Sequence, residues 1–184
     1  MLVLVLTVGA GAWVVFRPSS STPTSTLGVS IETHTDDVRG FAFDYPQTWQ
    51  YIGVEDLKQR NEKFVVGVAV QNLPGMACGM LVDERPPELE YLPSEVTAEL
   101  DRLLEQKLKD FRRLEARELE FKGLPSIFYS YNYTGEGTTI GARLEQYLIF
   151  GSDKVYTFSC GCPEAGFEKF KKDFDLILGS FRTL

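Results

Sequence analysis

Residues 124–160 read LPSIFYSYNYTGEGTTIGARLEQYLIFGSDKVYTFSC, and this stretch decides the fold. In its first part every second side chain is large and apolar or aromatic, which is the period of a half-buried strand. Glycine-containing turns then lead into two further apolar runs, 142–150 and 155–160. Strands joined by such short turns are antiparallel neighbours, so the stretch predicts a meander of hairpins. The alternating side chains of its first strand are Ile127, Tyr129, Tyr131 and Tyr133.

An amphipathic helix is predicted before this meander. Ser94 suits the N-cap position, where its hydroxyl can accept a hydrogen bond from a backbone N–H of the first turn. A single apolar stripe at helical spacing follows. Arg112 and Arg113 lie where positive charge complements the C-terminal end of the helix dipole. A short strand, 118–121, is expected to join the helix to the meander. The stripe consists of Val96, Leu100, Leu103, Leu104, Leu108 and Phe111.

A second helix is predicted near the C-terminus, after Pro163. Its apolar side chains again form one stripe at helical spacing, with lysines on the opposite side. Gly179 is expected to end the helix, because glycine readily adopts the left-handed conformation of the C′ position. The stripe consists of Phe167, Phe170, Phe174, Ile177 and Leu178.

Three more strands are predicted in the first half of the chain. Aromatic residues alternate through 41–45 and Pro46 ends that strand, with Trp49 expected in a turn beneath the edge of the sheet. Residues 64–70 are apolar on both sides, as in a central strand covered on both faces, and 76–82 form a shorter strand. Two amphipathic helices far apart in sequence can cover both faces of an antiparallel sheet. The predicted fold class is therefore α+β, with an antiparallel β-sheet sandwiched between helices.

The first 17 residues predict a signal peptide or a membrane anchor, since they are apolar and uncharged up to Arg17. Ala10 and Ala12 could form a signal-peptidase site. Cleavage there would leave four apolar residues on the mature chain, so we favour an uncleaved anchor. The position of Arg17 after the apolar run weakly favours the opposite orientation under the positive-inside rule.

A Ser/Thr/Pro-rich linker is predicted at 18–36, and the folded domain at 37–184. Such a linker cannot bury enough apolar surface to offset the entropy of ordering it, and its prolines stiffen it. An anchor, a linker and a folded head together predict an extracytoplasmic protein, membrane-anchored or secreted. The periplasm, the thylakoid lumen and the cell surface all fit this layout.

Composition excludes one class of partner. The 184 residues carry a formal net charge of −7, and no stripe of Lys and Arg interleaved with aromatic residues offsets the acidity. We therefore predict no nucleic-acid binding. The hydrophobic content of 43% is that of a globular protein with a real core.

Three cysteines are the candidates for covalent cross-linking. In an oxidising compartment Cys78 could form a disulfide with Cys160 or with Cys162, which leaves the third as a free thiol. Alternation places both late cysteines on one face of their strand, so the sequence does not select the partner. In the alternative interpretation, all three are small buried apolar residues. A metal site is not predicted, because no fourth ligand of a suitable type is near.

No catalytic, cofactor-binding or metal-binding residues are predicted. The single histidine, His34, lies at the boundary between linker and domain, where packed neighbours that would orient an imidazole are not expected. The clustered carboxylates occur in polar contexts typical of solvated surface. A weak Ca²⁺ site in the 83–90 loop remains open, although its spacing matches no dedicated calcium loop. The carboxylates are Asp36, Asp37, Asp44, Glu55, Asp56, Asp83, Glu84, Glu88 and Glu90.

Four short segments together resemble the PsbP-like domain family. Residues 40–49 (GFAFDYPQTW) are similar to its opening of an aromatic strand, Tyr-Pro and Trp. Residues 123–125 (GLP) precede a long aromatic strand, 155–158 (VYTF) resemble the penultimate strand, and 177–181 (ILGSF) resemble the closing segment. The resemblance extends over about residues 37 to 184, and the shared order of the segments is its main support.

The resemblance implies an antiparallel sheet between helices and no enzyme activity. Photosynthetic PsbP-like proteins lie on the lumenal side of photosystem II, other relatives are extracytoplasmic bacterial proteins, and a related fold serves a nuclear import factor. We therefore expect a membrane-tethered, non-catalytic binding or assembly module with a protein partner, in a narrower form a photosystem II accessory protein. The alternative is a head domain that binds or senses a small apolar ligand, which the abundance of Phe and Tyr motivates. Family metal-site residues have no counterpart here, since His34 is the only histidine.

Overall fold

The computed structural model describes residues 30–58, 63–71, 73, 75–85, 93–135 and 139–184. It contains ten strands, three α-helices and one 3-10 turn, Glu164–Gly166, within these ranges. The strands are β1 (Ile31–Asp36), β2 (Phe41–Pro46), β3 (Trp49–Ile52), β4 (Phe64–Val70), β5 (Ala77–Glu84), β6 (Lys109–Phe121), β7 (Leu124–Thr134), β8 (Gly141–Phe150), β9 (Lys154–Pro163) and β10 (Arg182–Thr183). The helices are α1 (Val54–Lys58), α2 (Pro93–Lys107) and α3 (Phe167–Ser180).

Seven of these strands form one antiparallel sheet in the order β3-β4-β5-β9-β8-β7-β6. Its second half is the predicted meander, in which β6, β7 and β8 are each paired with the next strand along the chain. The first half joins at β9, which pairs with β5 over eight residues. The sheet is thus built from two sequence-local parts that meet along one non-local strand pair.

The other three strands form a small sheet in the order β1-β2-β10. Strand β1 pairs with β2 in register from Ile31 opposite Pro46 to Asp36 opposite Phe41. The predicted linker boundary at residue 36 is corrected by this pairing, since residues 31–36 belong to the fold. All of their side chains after Ile31 are polar, so no apolar alternation indicates a strand. Backbone hydrogen bonds, polar contacts and the ring of His34 hold them in place.

Helices cover both faces of the large sheet, which confirms the predicted architecture. On one face α2 packs through its apolar stripe against the tyrosines of β7 and against Leu144 and Leu148 of β8. On the other face α3 and strand β2 pack against β4, β5 and β9, and Phe41, Phe43 and Phe174 are fully buried there. Below, the two sides are called the α2 side and the α3 side.

The end of α2 differs from the prediction. The apolar stripe was expected to remain helical through Phe111, with Arg112 and Arg113 in the last turn, but the helix ends at Lys107. Lys109–Phe121 instead forms a strand of 13 residues that pairs with β7, with register shifts between Lys109 and Arg112 and between Arg113 and Glu115. Phe111 still packs against the core of the α2 side. Phe111 therefore fits the helical spacing of the stripe by coincidence, although it belongs to a bulged strand.

Three smaller predictions are also corrected. Gly179 lies inside α3, which runs on to Ser180. Ser180 ends the helix through its hydroxyl, which accepts a hydrogen bond from the Asp44 N–H (2.8 Å) and lies 2.9 Å from the Ile177 carbonyl oxygen. Trp49 opens strand β3 rather than lying in a turn, and β9 continues through Gly161 to Pro163.

Candidate functional site

A cluster of polar side chains lies on the α3 side of the sheet, where the rest of the core is apolar. We call it the polar cluster. Strand β7 supplies Ser130 and Asn132, and β8 supplies the residues directly opposite them, Glu145 and Arg143. Glu164 and Lys171 complete it from the 3-10 turn and from α3. Ser130 and Glu145 are each only 2% exposed. Charge and polarity this deep need internal partners.

Glu145 is the buried charge at the centre of the polar cluster. Its Oε1 lies 3.2 Å from Nη2 of Arg143, and its Oε2 lies 3.3 Å from Nζ of Lys171. Burial lowers the pKa of Lys171, but the bond to Asp175 and the charge of Glu145 outweigh this effect and raise its pKa above the ordinary value. The negative charge of Glu145 is thus balanced by two cationic side chains that are themselves partly exposed to solvent.

Arg143 connects β8 to the start of α3. Its guanidinium carbon lies 4.1 Å from the centroid of the Phe167 ring, within the range of a cation–π contact. Its Nη1 donates to Oε1 of Glu168 at 3.1 Å. Asn132 makes a parallel connection, because its side-chain amide donates to Glu164. These contacts fix where α3 begins on the sheet.

Several buried polar atoms of the cluster have no hydrogen-bond partner among the described residues. They are Ser130 Oγ, Asn132 Oδ1, Arg143 Nε and Glu145 Oε2, and the last of these faces Lys171 as an ion pair at 3.3 Å without hydrogen-bond geometry. Most buried polar groups in proteins are paired, so such atoms are unusual. The cluster therefore combines a carboxylate that is paired in charge with two cations and a few unused donors and acceptors. That chemistry suits fixing a helix to a sheet, and it supplies no activated nucleophile.

The cysteines lie beside the polar cluster. Cys78 of β5 and Cys160 of β9 face each other in register and form a disulfide, and Cys162 is a buried free thiol. Cys160 and Cys162 both belong to the core of the α3 side, the shared face that alternation predicts. Burial raises the pKa of the Cys162 thiol to about 12, against the opposing charge of Arg143. A thiol with so little thiolate at neutral pH is a poor nucleophile.

The carboxylates that the sequence singles out are not brought together in one site. Asp36 pairs with Arg39, Asp44 with Arg182 and Asp83 with Lys63. Glu88 and Glu90 lie outside the described residues, so the predicted loop calcium site stays a prediction. Among the residues that the structure does describe, no group of three or more His, Cys, Asp or Glu side chains is placed to hold a metal ion.

His34 has packed neighbours, contrary to the expectation for a linker boundary. It belongs to β1, and its ring lies 5.3 Å from that of Phe43 and 5.4 Å from that of Tyr51. Its Nε2 is buried and has no hydrogen-bond partner within the protein. Burial lowers the pKa of His34, and the charge of Asp36 opposes this only in part. Its ring neighbours are aromatic and its Nε2 bonds to none of the described residues, whereas a catalytic triad needs a hydrogen bond from a nucleophile to the imidazole.

The tyrosine stripe of β7 is part of the core. Tyr129, Tyr131 and Tyr133 are all buried on the α2 side, which fits core packing rather than an exposed binding stripe. The Tyr129 hydroxyl donates to Asp101 of α2, and the same carboxylate pairs with Arg113. Burial, together with the bond to Asp101, raises the pKa of Tyr129 above the ordinary value.

The predicted anchor, 1–17, and most of the predicted linker lie outside the described residues. Of the helices that the structure describes, none is long and apolar enough to cross a bilayer.

The polar cluster is the feature that sequence reasoning missed. Its signal was present in β8, where Arg143 and Glu145 alternate with Leu144 and must share the face of Tyr147 and Ile149. Two charged residues between apolar ones on the same face indicated a buried ion pair beneath a covering element. The interpretation of 142–150 as a purely apolar run overlooked this pair.

Comparison with known proteins supports the fold. No protein-family model matches the sequence, and no curated protein is significantly similar to it. Solved structures do match. Cyanobacterial PsbP from Synechocystis sp. PCC 6803 has a TM-score of 0.65 at 16% identity, over 90% of this chain and 98% of that one. LpqN, described as involved in cell envelope biogenesis of Mycobacterium tuberculosis, has a TM-score of 0.61 at 12% identity, over 86% and 93%.

The Ran-binding protein Mog1p of Saccharomyces cerevisiae gives a TM-score of 0.57 at 10% identity, over 85% of this chain and 96% of that one. Each match extends over nearly the whole of the compared protein, so the likeness concerns a complete domain rather than a shared motif. At these identities it concerns the fold and not the function. The chain thus has the PsbP-like α+β fold, as the order of its short sequence motifs indicates.

Proposed function

We propose that this protein is a membrane-tethered, non-catalytic module that binds or helps to assemble other proteins outside the cytoplasm. The observation that carries the proposal is the PsbP-like fold over nearly the whole compared domain, combined with a buried carboxylate that is paired with two cations. A carboxylate held between two cations and a thiol of raised pKa are poorly suited to acid–base or nucleophilic chemistry. We therefore expect the domain to act by binding other molecules at its outer surface.

The comparisons support a binding role indirectly. Mog1p is described as Ran-binding, and LpqN as involved in cell envelope biogenesis. Neither description names catalysis. Because fold alone does not determine function, these descriptions motivate the proposal and do not identify a partner.

The proposed location outside the cytoplasm is supported by the disulfide. Cys78 and Cys160 are 2% and 0% exposed, so the bond closes inside the core of the α3 side. Structural disulfides persist in oxidising compartments and are rare where glutathione keeps thiols reduced. Mass-tagging of free thiols in unfolded protein from freshly lysed cells tests this point. We expect one reactive thiol per chain, and three would contradict an oxidising location.

The binding role is tested by site-specific photo-crosslinking of the tagged full-length protein in its native membranes. Val38, Ile140 and Leu184 are exposed apolar side chains, at 88%, 51% and 64%, and are suitable positions for the photoreactive residue. We expect one defined protein to be captured from some of these positions and not from others. Each position then serves as the matched control for the rest. The membranes should contain the protein at its natural level. If no position yields a crosslinked product and only the monomer is recovered, a stable assembly role is contradicted.

The narrower form of the proposal is a photosystem II accessory protein. It is motivated by the match to cyanobacterial PsbP. Its test is whether the captured partner is a photosystem II subunit. A source organism without photosystems would eliminate this form and leave the general one intact.

A further inference from the structure

Strand β1 is held to the domain mainly by polar contacts. It is the outer strand of the small sheet and pairs with β2 alone. Its one large apolar side chain, Ile31, is 55% exposed. Segments with little apolar burial open locally at a low free-energy cost while the rest of the protein stays folded. Strand β1 is thus among the elements of the described structure most easily released.

His34 is the side chain of β1 that enters the aromatic core. Its ring lies 5.9 Å from that of Phe41, 5.3 Å from that of Phe43 and 5.4 Å from that of Tyr51, which is stacked on it at 27°. The buried Nε2 has no hydrogen-bond partner among the described residues. This atom is unpaired in the neutral ring and in the protonated ring alike. Protonation adds a positive charge to this site, and burial of that charge is the additional cost.

The groups around His34 leave its charge poorly compensated. Glu32, two residues away on β1, accepts a hydrogen bond from the Tyr45 hydroxyl at 2.9 Å. Asp36, on the other side, accepts from the Arg39 side chain at 2.8 Å and from its backbone N–H at 2.9 Å. Tyr51 stacks on the ring from β3, with the two ring centroids 5.4 Å apart, and supplies no carboxylate. Both nearby carboxylates thus have other partners.

We propose that β1 is a pH-sensitive strap, which acidification releases from β2 through protonation of His34. Release would add six residues to the chain that precedes the domain. At about 3.3 Å per extended residue this is roughly 20 Å of additional reach, and it would uncover the edge of β2. The proposal depends on the geometry of β1 alone and stands whether or not the proposed function is correct.

The direction of the effect follows from linkage. Burial lowers the pKa of His34 in the closed strand from its ordinary value of 6.5. The closed strand therefore prefers the neutral ring, so its stabilisation is complete above pH 6.5 and is lost as the pH falls toward the lowered pKa. Burial raises the pKa of Asp36, but the hydrogen bonds from Arg39 outweigh this and lower it below 3.8. Asp36 thus stays ionised between pH 7.5 and 5, and His34 is the group of this pair that titrates.

The test is hydrogen exchange by mass spectrometry on the full-length protein between pH 7.5 and 5, corrected for the intrinsic rates. We expect protection of the 31–36 amides to fall by up to about thirtyfold, the limit reached when only the released strand takes the proton. Protection of β7 and β8 should not change, which provides an internal reference. Unchanged protection of β1 in the wild-type protein would overturn the proposal.

Two substitutions that cannot take a proton provide the control. His34→Phe keeps a ring against Phe43 and Tyr51, and His34→Gln keeps a neutral polar group. We expect β1 protection to be independent of pH in both. Glu32→Gln should retain the pH dependence, which assigns it to His34. If the His34 variants lose as much protection of β1 on acidification as the wild-type protein does, the mechanism is contradicted. A pKa of His34 at or above 6.5, measured by exchange of the C2 hydrogen, would contradict it too.

Discussion

The two sides of the seven-stranded sheet differ in which parts of the chain supply their cores. On the α2 side, a single helix lays an aliphatic stripe over the tyrosines of β7, and nearly all the parts come from one continuous stretch, 96–155. On the α3 side, phenylalanines from both ends of the chain meet around a disulfide and a buried carboxylate. The α2 side is sequence-local and the α3 side is assembled from distant segments. Loss of packing, of the cross-link or of charge on the α3 side should therefore be felt by more of the molecule.

The largest expected effect is a cavity on the α3 side. Phe174 is fully buried, and its ring lies 5.3 Å from that of Phe167 and 6.0 Å from that of Trp49. Phe174→Ala should lower the free energy of unfolding by about 3–5 kcal/mol. The matched change on the α2 side, Leu104→Ala, should cost about 2–5 kcal/mol. Urea denaturation measures both, and a larger loss for Leu104→Ala would reverse the comparison.

The next effect concerns the disulfide. Replacing Cys78 and Cys160 together with alanine should lower the free energy of unfolding by about 2–5 kcal/mol, because the bond closes a loop of 82 residues. Cys162→Ala is the control, since it removes a buried thiol but no cross-link and should cost about 1 kcal/mol. Equal losses for the two variants would mean that packing, and not the cross-link, is what the cysteines contribute.

Removal of the buried charge should have a smaller effect. Glu145→Gln keeps the shape of the side chain but leaves Arg143 and Lys171 without their shared carboxylate. We expect a loss of about 1–3 kcal/mol. Glu168 pairs with the same arginine but is 79% exposed, so Glu168→Gln should change stability by less than about 0.5 kcal/mol. If both changes are neutral, the polar cluster has no structural role.

The smallest effect is expected on the α2 side. Tyr129→Phe removes a hydroxyl that donates to Asp101 and leaves the ring in place. The loss should be about 1 kcal/mol. Thermal unfolding at neutral pH measures it, with Tyr133→Phe as a second hydroxyl deletion on the same strand. A loss of unfolding free energy as large as that of Phe174→Ala would show that this hydroxyl contact, and not apolar packing, dominates the stability of the α2 side.

The local parts of the fold could be predicted from the sequence. Period-two alternation and short glycine turns determine the β7–β8–β9 meander, and the turn before β7 has Lys122 and Gly123 at φ 51° and 84°, as a tight hairpin requires. The stripe from Val96 to Leu108 determines α2. These signals come from neighbours in sequence, so no tertiary information is needed to read them.

Predictions failed where tertiary contacts override the local pattern. Phe111 continues a helical spacing, yet pairing with β7 draws 109–121 into a strand. Strand β1 has no apolar face, and only its partner β2 makes it a strand. Glu145 lies in a run that is mostly apolar, and its alternation with Arg143 was the only local sign of a buried pair. The second cation, Lys171 of α3, is distant in sequence, and no local pattern connects it to Glu145. The candidate site was missed because both its covering helix and this second cation come from tertiary contacts.

The pairing of β5 with β9 has a consequence for the order in which the protein is made. Strands β1 to β5 leave the ribosome first. Strand β5 can pair with β4 at once, yet its second neighbour is complete only when residues 154–161 have been made, and β10 joins β2 last of all. Until then the early strands have an open edge, and such edges are prone to wrong pairing. Correct folding therefore depends on keeping the first half of the chain from mispairing until the second half has been made.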